Sequence, residues 1–130
     1  MDNENQGAKE GGKGAEHLQR AFGYSMAGLR TTFRNESAFR QELFLCLIGV
    51  PLGLWLGTNA VERVLLSGSL VMVLVVELLN TAIENVVDRV SSERHELAKR
   101  SKDAGSAAVF VSLLLAGLVW LLIVVLPRFS

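Results

Sequence analysis

One cysteine, two histidines and two prolines are all that 130 residues contain of these types, and the formal net charge is zero. A lone cysteine, Cys46, excludes a disulfide framework and a Cys-x-x-Cys metal pair. It lies in an apolar run, where a thiol is most simply a small packing group. The two histidines, His17 and His95, argue against zinc chemistry, and "HELAK" at His95–Lys99 lacks the second histidine of an HExxH helix. The phosphate-binding loops of soluble kinases are missing as well. "GGKG" at Gly11–Gly14 has neither the GxxxxGK[ST] spacing nor a preceding strand. No secretory signal is expected, because the first apolar run starts roughly 40 residues in. No internal repeat is evident, and no nucleic-acid partner is expected.

Apolar residues are abundant: half of the chain is hydrophobic. Leu43 to Val61 is a run of 19 residues without a charge, and Ala104 to Pro127 is a run of 24. Between them, Val64 to Val76 is uncharged and continues into "VVELLNTAIENVVDR" at Val75–Arg89. A bilayer core of ~30 Å needs ~20 helical residues. The outer runs meet this unaided; the middle one does so only if its polar face meets protein or water. The expected fold is an all-α membrane protein with transmembrane helices at about 40–58, 62–90 and 104–127. A soluble bundle is the weaker reading, since three such runs leave little polar surface.

Eleven basic residues, Lys9, Lys13, Arg20, Arg30, Arg34, Arg40, Arg89, Arg94, Lys99, Arg100 and Lys102, fall on one side of such a bundle, against Arg63 and Arg128 on the other. That bias predicts a cytoplasmic N-terminus and an outer C-terminus. Residues 1–14 are polar and Gly-rich and read as a disordered tail, and residues 15–130 as a single domain. In "AEHLQRAFGYSMAGLRTTFR", Leu18, Phe22, Met26, Leu29 and Phe33 recur at helical spacing beside Arg20, Arg30 and Arg34. This predicts an amphipathic helix over about 15–34, lying in the membrane interface. Gly49, Gly53 and Gly57 recur every four residues, which gives the first span a bare face for a neighbouring helix. Trp55 suits an aromatic belt.

The chemistry lies in the acidic residues. From Glu77, the polar residues Asn80, Thr81, Glu84 and Asp88 fall at i+3, i+4, i+7 and i+11, on one helix face. A carboxylate within the bilayer is costly and usually functional. Glu36 and Glu42 stand just before the first run, at the same membrane face. Hard oxygen donors of this kind suit Mg²⁺, with phosphate oxygens and water completing its shell. With Lys102 and Asp103 on the same side, the parts for phosphoryl transfer are present. Glu77, ~10 Å deeper along the helix than Glu84, is placed to act as a general base toward a hydroxyl held in the bilayer. The structural alternative is that the acids pair with Arg residues or bridge subunits, and for Asp88, one residue before Arg89 and close to the surface, that is the preferred reading. A proton-coupled transporter would use Glu77 but not Lys102 and Asp103. A scaffold would use neither Glu77 nor Glu84.

"NESAFRQE" at Asn35–Glu42, "VVELLNTAIENVVDR", "HEL" at His95–Leu97 and "KDAGSAAV" at Lys102–Val109 resemble, in order and spacing, blocks of the prokaryotic diacylglycerol kinase family. "GYSMAGLR" at Gly23–Arg30 fits the family's N-terminal helix. These are small bacterial inner-membrane lipid kinases that include undecaprenol kinases. The resemblance implies a homotrimer of three-span subunits, each with an interfacial helix and with sites between subunits. It implies transfer of the ATP γ-phosphate to the primary hydroxyl of diacylglycerol with Mg²⁺; undecaprenol is the alternative acceptor. "HEL" without a proline looks more like the diacylglycerol branch. By position, Glu77 becomes the general base, and Glu36 and Glu84 the metal ligands beside ATP. Tyr24, Glu93, Arg94, His95, Lys102 and Asp103 become ATP contacts. Ser25, Arg30, Gln41, Trp55, Arg63, Asn80 and Ser106, with Glu77, match lipid-side positions. His17, Phe22, Met26 and Arg94 depart from common family residues, and His17 is not carried over.

Overall fold

The computed structural model describes residues 2–90 and 96–129, with side chains from residue 12 onward. The chain divides into two units, Met1–Asn35 and Glu36–Ser130. The first is one helix, α1, Asp2–Asn35. It begins earlier than composition suggests, since residues 2–14 are helical where a disordered tail is expected. Once a helix exists, each added residue gains a backbone hydrogen bond, although glycine costs ~1 kcal/mol relative to alanine there.

The second unit holds three long helices: α2, Ser37–Leu56; α3, Ala60–Val90; and α4, Glu96–Trp120. The helix α4 runs on through a π-type turn, Leu121–Val125, and a 3₁₀ turn, Leu126–Arg128. Pro127 lies in that last turn; it has no N–H to donate and its ring crowds the carbonyl four residues back, which opposes an α-helical ending. The helices start and stop within a few residues of the expected spans, but α4 opens at Glu96, eight residues before its charge-free run. All three are long and apolar enough to cross a membrane. Only 11% of the most apolar stretch of α4 is buried, so most of its Leu and Val side chains face outward, as lipid-facing residues do.

The α2–α3 turn is short because its polar groups are satisfied locally. Asn59 Oδ1 accepts the Glu62 N–H (2.9 Å), and Glu62 Oε2 accepts the Thr58 N–H (2.9 Å) and the Thr58 hydroxyl. This reciprocal capping satisfies donors that an open helix start leaves unpaired. Arg63 Nε donates to the Gly57 carbonyl (3.2 Å), closing the other side of the turn.

Helix α3 packs against both α2 and α4. Its buried residues, Leu66, Ser69, Leu70, Val73, Glu77, Asn80 and Thr81, keep the helical period along most of its length. Cys46, Leu70, Val73 and Ala116 form the core, with Val50, Leu74 and Trp120 around it. The glycine face expected on the first span meets α3 of the same chain. A Cβ at Gly53 would stand 2.9 Å from Leu66 Cβ, and one at Gly49 would overlap Leu70 Cδ1. Those absences let the backbones approach closely enough for the Cys46 thiol to donate to the Leu70 carbonyl (3.2 Å). From α4, Trp120 Nε1 donates to the Leu66 carbonyl (3.1 Å). The lone cysteine is thus a packing residue, as its setting suggests.

Candidate functional site

Apolar packing dominates the half of the bundle toward the α2–α3 turn; toward the other end, acids take over the buried positions. On α2 the buried residues are Phe39, Glu42, Cys46, Gly49 and Gly53, spaced 3, 4, 3 and 4. On α3 the series reaches Glu77, Asn80 and Thr81, all nine-tenths or more buried. Glu36 is the N-cap of α2, yet its side chain makes no capping hydrogen bond. One cleft of about 340 Å³ opens here, bounded by Glu36, Ala38 and Glu42 of the α2 end, Glu77, Asn80 and Glu84 of α3, and Ser106, Val109, Phe110 and Leu113 of α4. The volume is at the low end for ligand pockets. Among the described residues, no Lys or Arg lines it.

Among the described residues, three buried side-chain oxygens have no hydrogen-bond partner: Glu42 Oε2, Asn80 Oδ1 and Thr81 Oγ1. Buried polar atoms are nearly always paired, so a cluster of orphans beside a cleft marks a place for a ligand or ion. The other end of the Asn80 amide is engaged, since Nδ2 donates to Glu84 Oε1 (3.3 Å). Asn80 also rests on Gly105 of α4, where a Cβ would overlap Asn80 Oδ1. Gly105 is therefore the gap that admits the amide.

Outside the cleft, Lys102 of α4 pairs with Asp88 of α3 (2.5 Å). Asp88, expected to pair with an arginine or to bridge subunits, takes a lysine of this chain as its partner. Asp103 is bound by Lys99 (3.2 Å) and Glu96 by Arg100 (2.9 Å), each across one helical turn. Among the described residues, no three His, Cys, Asp or Glu side chains form a ready metal cage. The donors present fit Mg²⁺ differently. It takes one or two carboxylates and fills its shell with phosphate oxygens and water, and Glu36 and Glu84 have that chemistry.

Of the residues singled out in sequence, Glu36, Glu77, Asn80, Glu84 and Ser106 converge on the cleft. Trp55 and Arg63 sit by the α2–α3 turn; Arg63 is ~21 Å of helix from Glu77, and neither lines the cleft. Gln41 is exposed on α2. Tyr24, Ser25 and Arg30 lie on α1, where the Ser25 hydroxyl donates to the Ala21 carbonyl (2.9 Å). Glu93, Arg94 and His95 fall outside the described residues. Sequence reading grouped Glu42 with the acids but gave it no role, although its position six residues after Glu36, on the side of α2 that faces α3, was the available signal. The Asn80–Gly105 contact left no signal in the sequence, because it joins two helices.

Fold and site together define a small all-helical protein with three helices long and apolar enough to cross a membrane and an acid-lined cleft at one end of them. Comparison narrows this further. The profile of the prokaryotic diacylglycerol kinase family matches residues 23–124, and the chain belongs to that family. Among its relatives, a diacylglycerol kinase of Haemophilus influenzae is 49% identical over 107 residues, covering 82% of this chain and 91% of the relative. One from Escherichia coli K12 is 49% identical over 107 residues, 82% and 88% of the two chains. One from Pseudomonas aeruginosa is 45% identical over 111 residues, 85% and 90%.

Proposed function

We propose that this chain transfers the γ-phosphate of ATP to the primary hydroxyl of diacylglycerol, yielding phosphatidate and ADP. The observation that carries this reading is the convergence of Glu36, Glu77, Asn80 and Glu84 on one cleft, within a chain of this family. Glu77, deepest of the cleft's α3 residues, accepts the hydroxyl proton. The hydroxyl oxygen then bonds to the γ-phosphorus as the bond to the β–γ bridging oxygen breaks, and that electron pair leaves with ADP. Glu36 and Glu84 would hold Mg²⁺, which would supply positive charge against the transferred phosphoryl group. Asn80 fixes the Glu84 carboxylate through its amide N–H. Lys102 exchanges Asp88 for a phosphate oxygen when nucleotide binds.

The exposed Leu18, Phe22, Met26, Leu29 and Phe33 support α1 as an interfacial helix. The basic bias across the spans supports a cytoplasmic N-terminus in the bacterial inner membrane. A homotrimer completes the site, since three helices enclose a cleft too small for both substrates. The test is purified full-length protein in mixed lipid micelles with γ-labelled ATP and Mg²⁺. Label in phosphatidate is expected, and Glu77→Gln is expected to abolish it while ATP still binds. Label only in undecaprenyl phosphate, or in no lipid, overturns the reading.

A further inference from the structure

The geometry points to Glu42 as a positioning residue for Glu77: the buried Glu42 carboxyl on α2 holds the Glu77 carboxylate on α3 through a shared proton, leaving one Glu77 oxygen free for the acceptor hydroxyl. The inference rests on Glu77 being the base. Glu42 occupies a helix position flanked on the same face by Phe39 and Cys46, where an apolar residue would serve packing better. It is 9% exposed, lines the same cleft as Glu77, and its Oε2 has no hydrogen-bond partner. The two carboxyl groups line that cleft from helices that pack against each other.

Among the described residues, no Lys or Arg side chain lines the cleft beside these two acids. The charged groups lining the cleft are Glu36 and Glu42 from α2 and Glu77 and Glu84 from α3; α4 contributes Ser106, Val109, Phe110 and Leu113. The thiol of Cys46, one turn along α2, is committed to the Leu70 carbonyl. Two carboxyls facing each other away from water cannot both stay ionised, and the stable arrangement places one proton between them. That proton makes Glu42 a donor and fixes the rotation of the Glu77 carboxylate. In the reaction the hydroxyl proton moves to the free Glu77 oxygen, while the shared proton stays between the carboxyls.

The test uses the purified full-length protein with ATP, Mg²⁺ and diacylglycerol, comparing Glu42→Leu, Glu42→Gln and Glu77→Gln. Loss of orientation in Glu42→Leu is expected to lower kcat about 100-fold, with KM for ATP unchanged. Glu42→Gln, whose amide N–H replaces the shared proton, is expected to recover most of that loss. Infrared spectra at neutral pH should show a protonated-carboxyl C=O band in the parent that disappears in Glu42→Gln. A parental kcat in Glu42→Leu overturns the proposal; so does a Glu42→Gln enzyme as slow as Glu42→Leu, or a spectrum with no such band. Should Glu42→Leu fail to fold, the band and the Glu42→Gln rate decide by themselves, a rate far below the parent counting against the proposal. Failure of the base assignment reads differently: Glu77→Gln then keeps turning over, whatever the Glu42 variants do.

Discussion

Adding one methyl group at Gly105 tests how the site is held together. A Cβ there would overlap Asn80 Oδ1 and stand 3.3 Å from Asn80 Cγ. The methyl group and the amide cannot share that space, so the Asn80 side chain must rotate or α4 must move out. Overpacking of this kind costs about 1–3 kcal/mol. Rotation also breaks the 3.3 Å bond from Asn80 Nδ2 to Glu84 Oε1, and a hydrogen bond to a charged group contributes about 1.5 kcal/mol at the low end. Losing a residue that orients a metal ligand typically costs about 10–100-fold in metal affinity or activity. Gly105→Ala is therefore expected to raise the Mg²⁺ concentration for half-maximal turnover by that factor, measured by coupled ADP release in mixed micelles with diacylglycerol. Gly117→Ala is the control, because a Cβ there meets nothing within 4 Å in this chain. Pairing Gly105→Ala with Asn80→Ala should relieve the crowding and restore thermal stability without restoring the Mg²⁺ response. An unchanged Mg²⁺ titration in Gly105→Ala would refute the claim that Asn80 holds Glu84 from a seat on Gly105.

Other perturbations address the packing and the nucleotide end. Gly53→Val pushes a branched side chain against Leu66 and Trp120, which a Cβ would meet at 2.9 and 3.3 Å. It should destabilise the bundle by about 1–3 kcal/mol in a detergent unfolding titration, and Gly68→Ala, with no neighbour within 4 Å in this chain, should not. Lys102→Met is expected to raise KM for ATP with little effect on unfolding, because its pair with Asp88 is partly exposed. Asp88→Asn, which frees Lys102, should leave unfolding equally unmoved, and a large loss of stability in either variant would make the pair a structural clamp. Glu84→Gln should abolish turnover or shift the Mg²⁺ requirement at least as far as Gly105→Ala does. A parental Mg²⁺ response would remove Glu84 from the metal site.

The two orders of contact in this molecule explain what could be seen in advance. Residues on one helix are related by the helical period, so the buried face of α3 from Glu77 to Thr81 follows from the 3- and 4-residue spacing of its letters. The spans follow from the same local rule, since ~20 apolar residues match the bilayer. Where α1 and α4 begin earlier than expected, charged or glycine-rich turns continue a helix that the neighbouring segment has nucleated. The Gly49–Gly53 face also announced a close helix neighbour, though not which one.

The amino-acid order alone determined the helices, the apolar belt they present, and the acidic face at one end of the second span, because each depends on residues within a few turns of one another. Only the packing of α2 and α4 onto α3 decided that Glu42 and Glu77 line one cleft, that the Asn80 amide rests on Gly105, and that Lys102 takes Asp88 as its partner. Those pairs lie 35, 25 and 14 positions apart by residue number. Each pair joins two different helices, so the period of neither helix links its members, and they meet only when bare glycine faces let three helices close on one another.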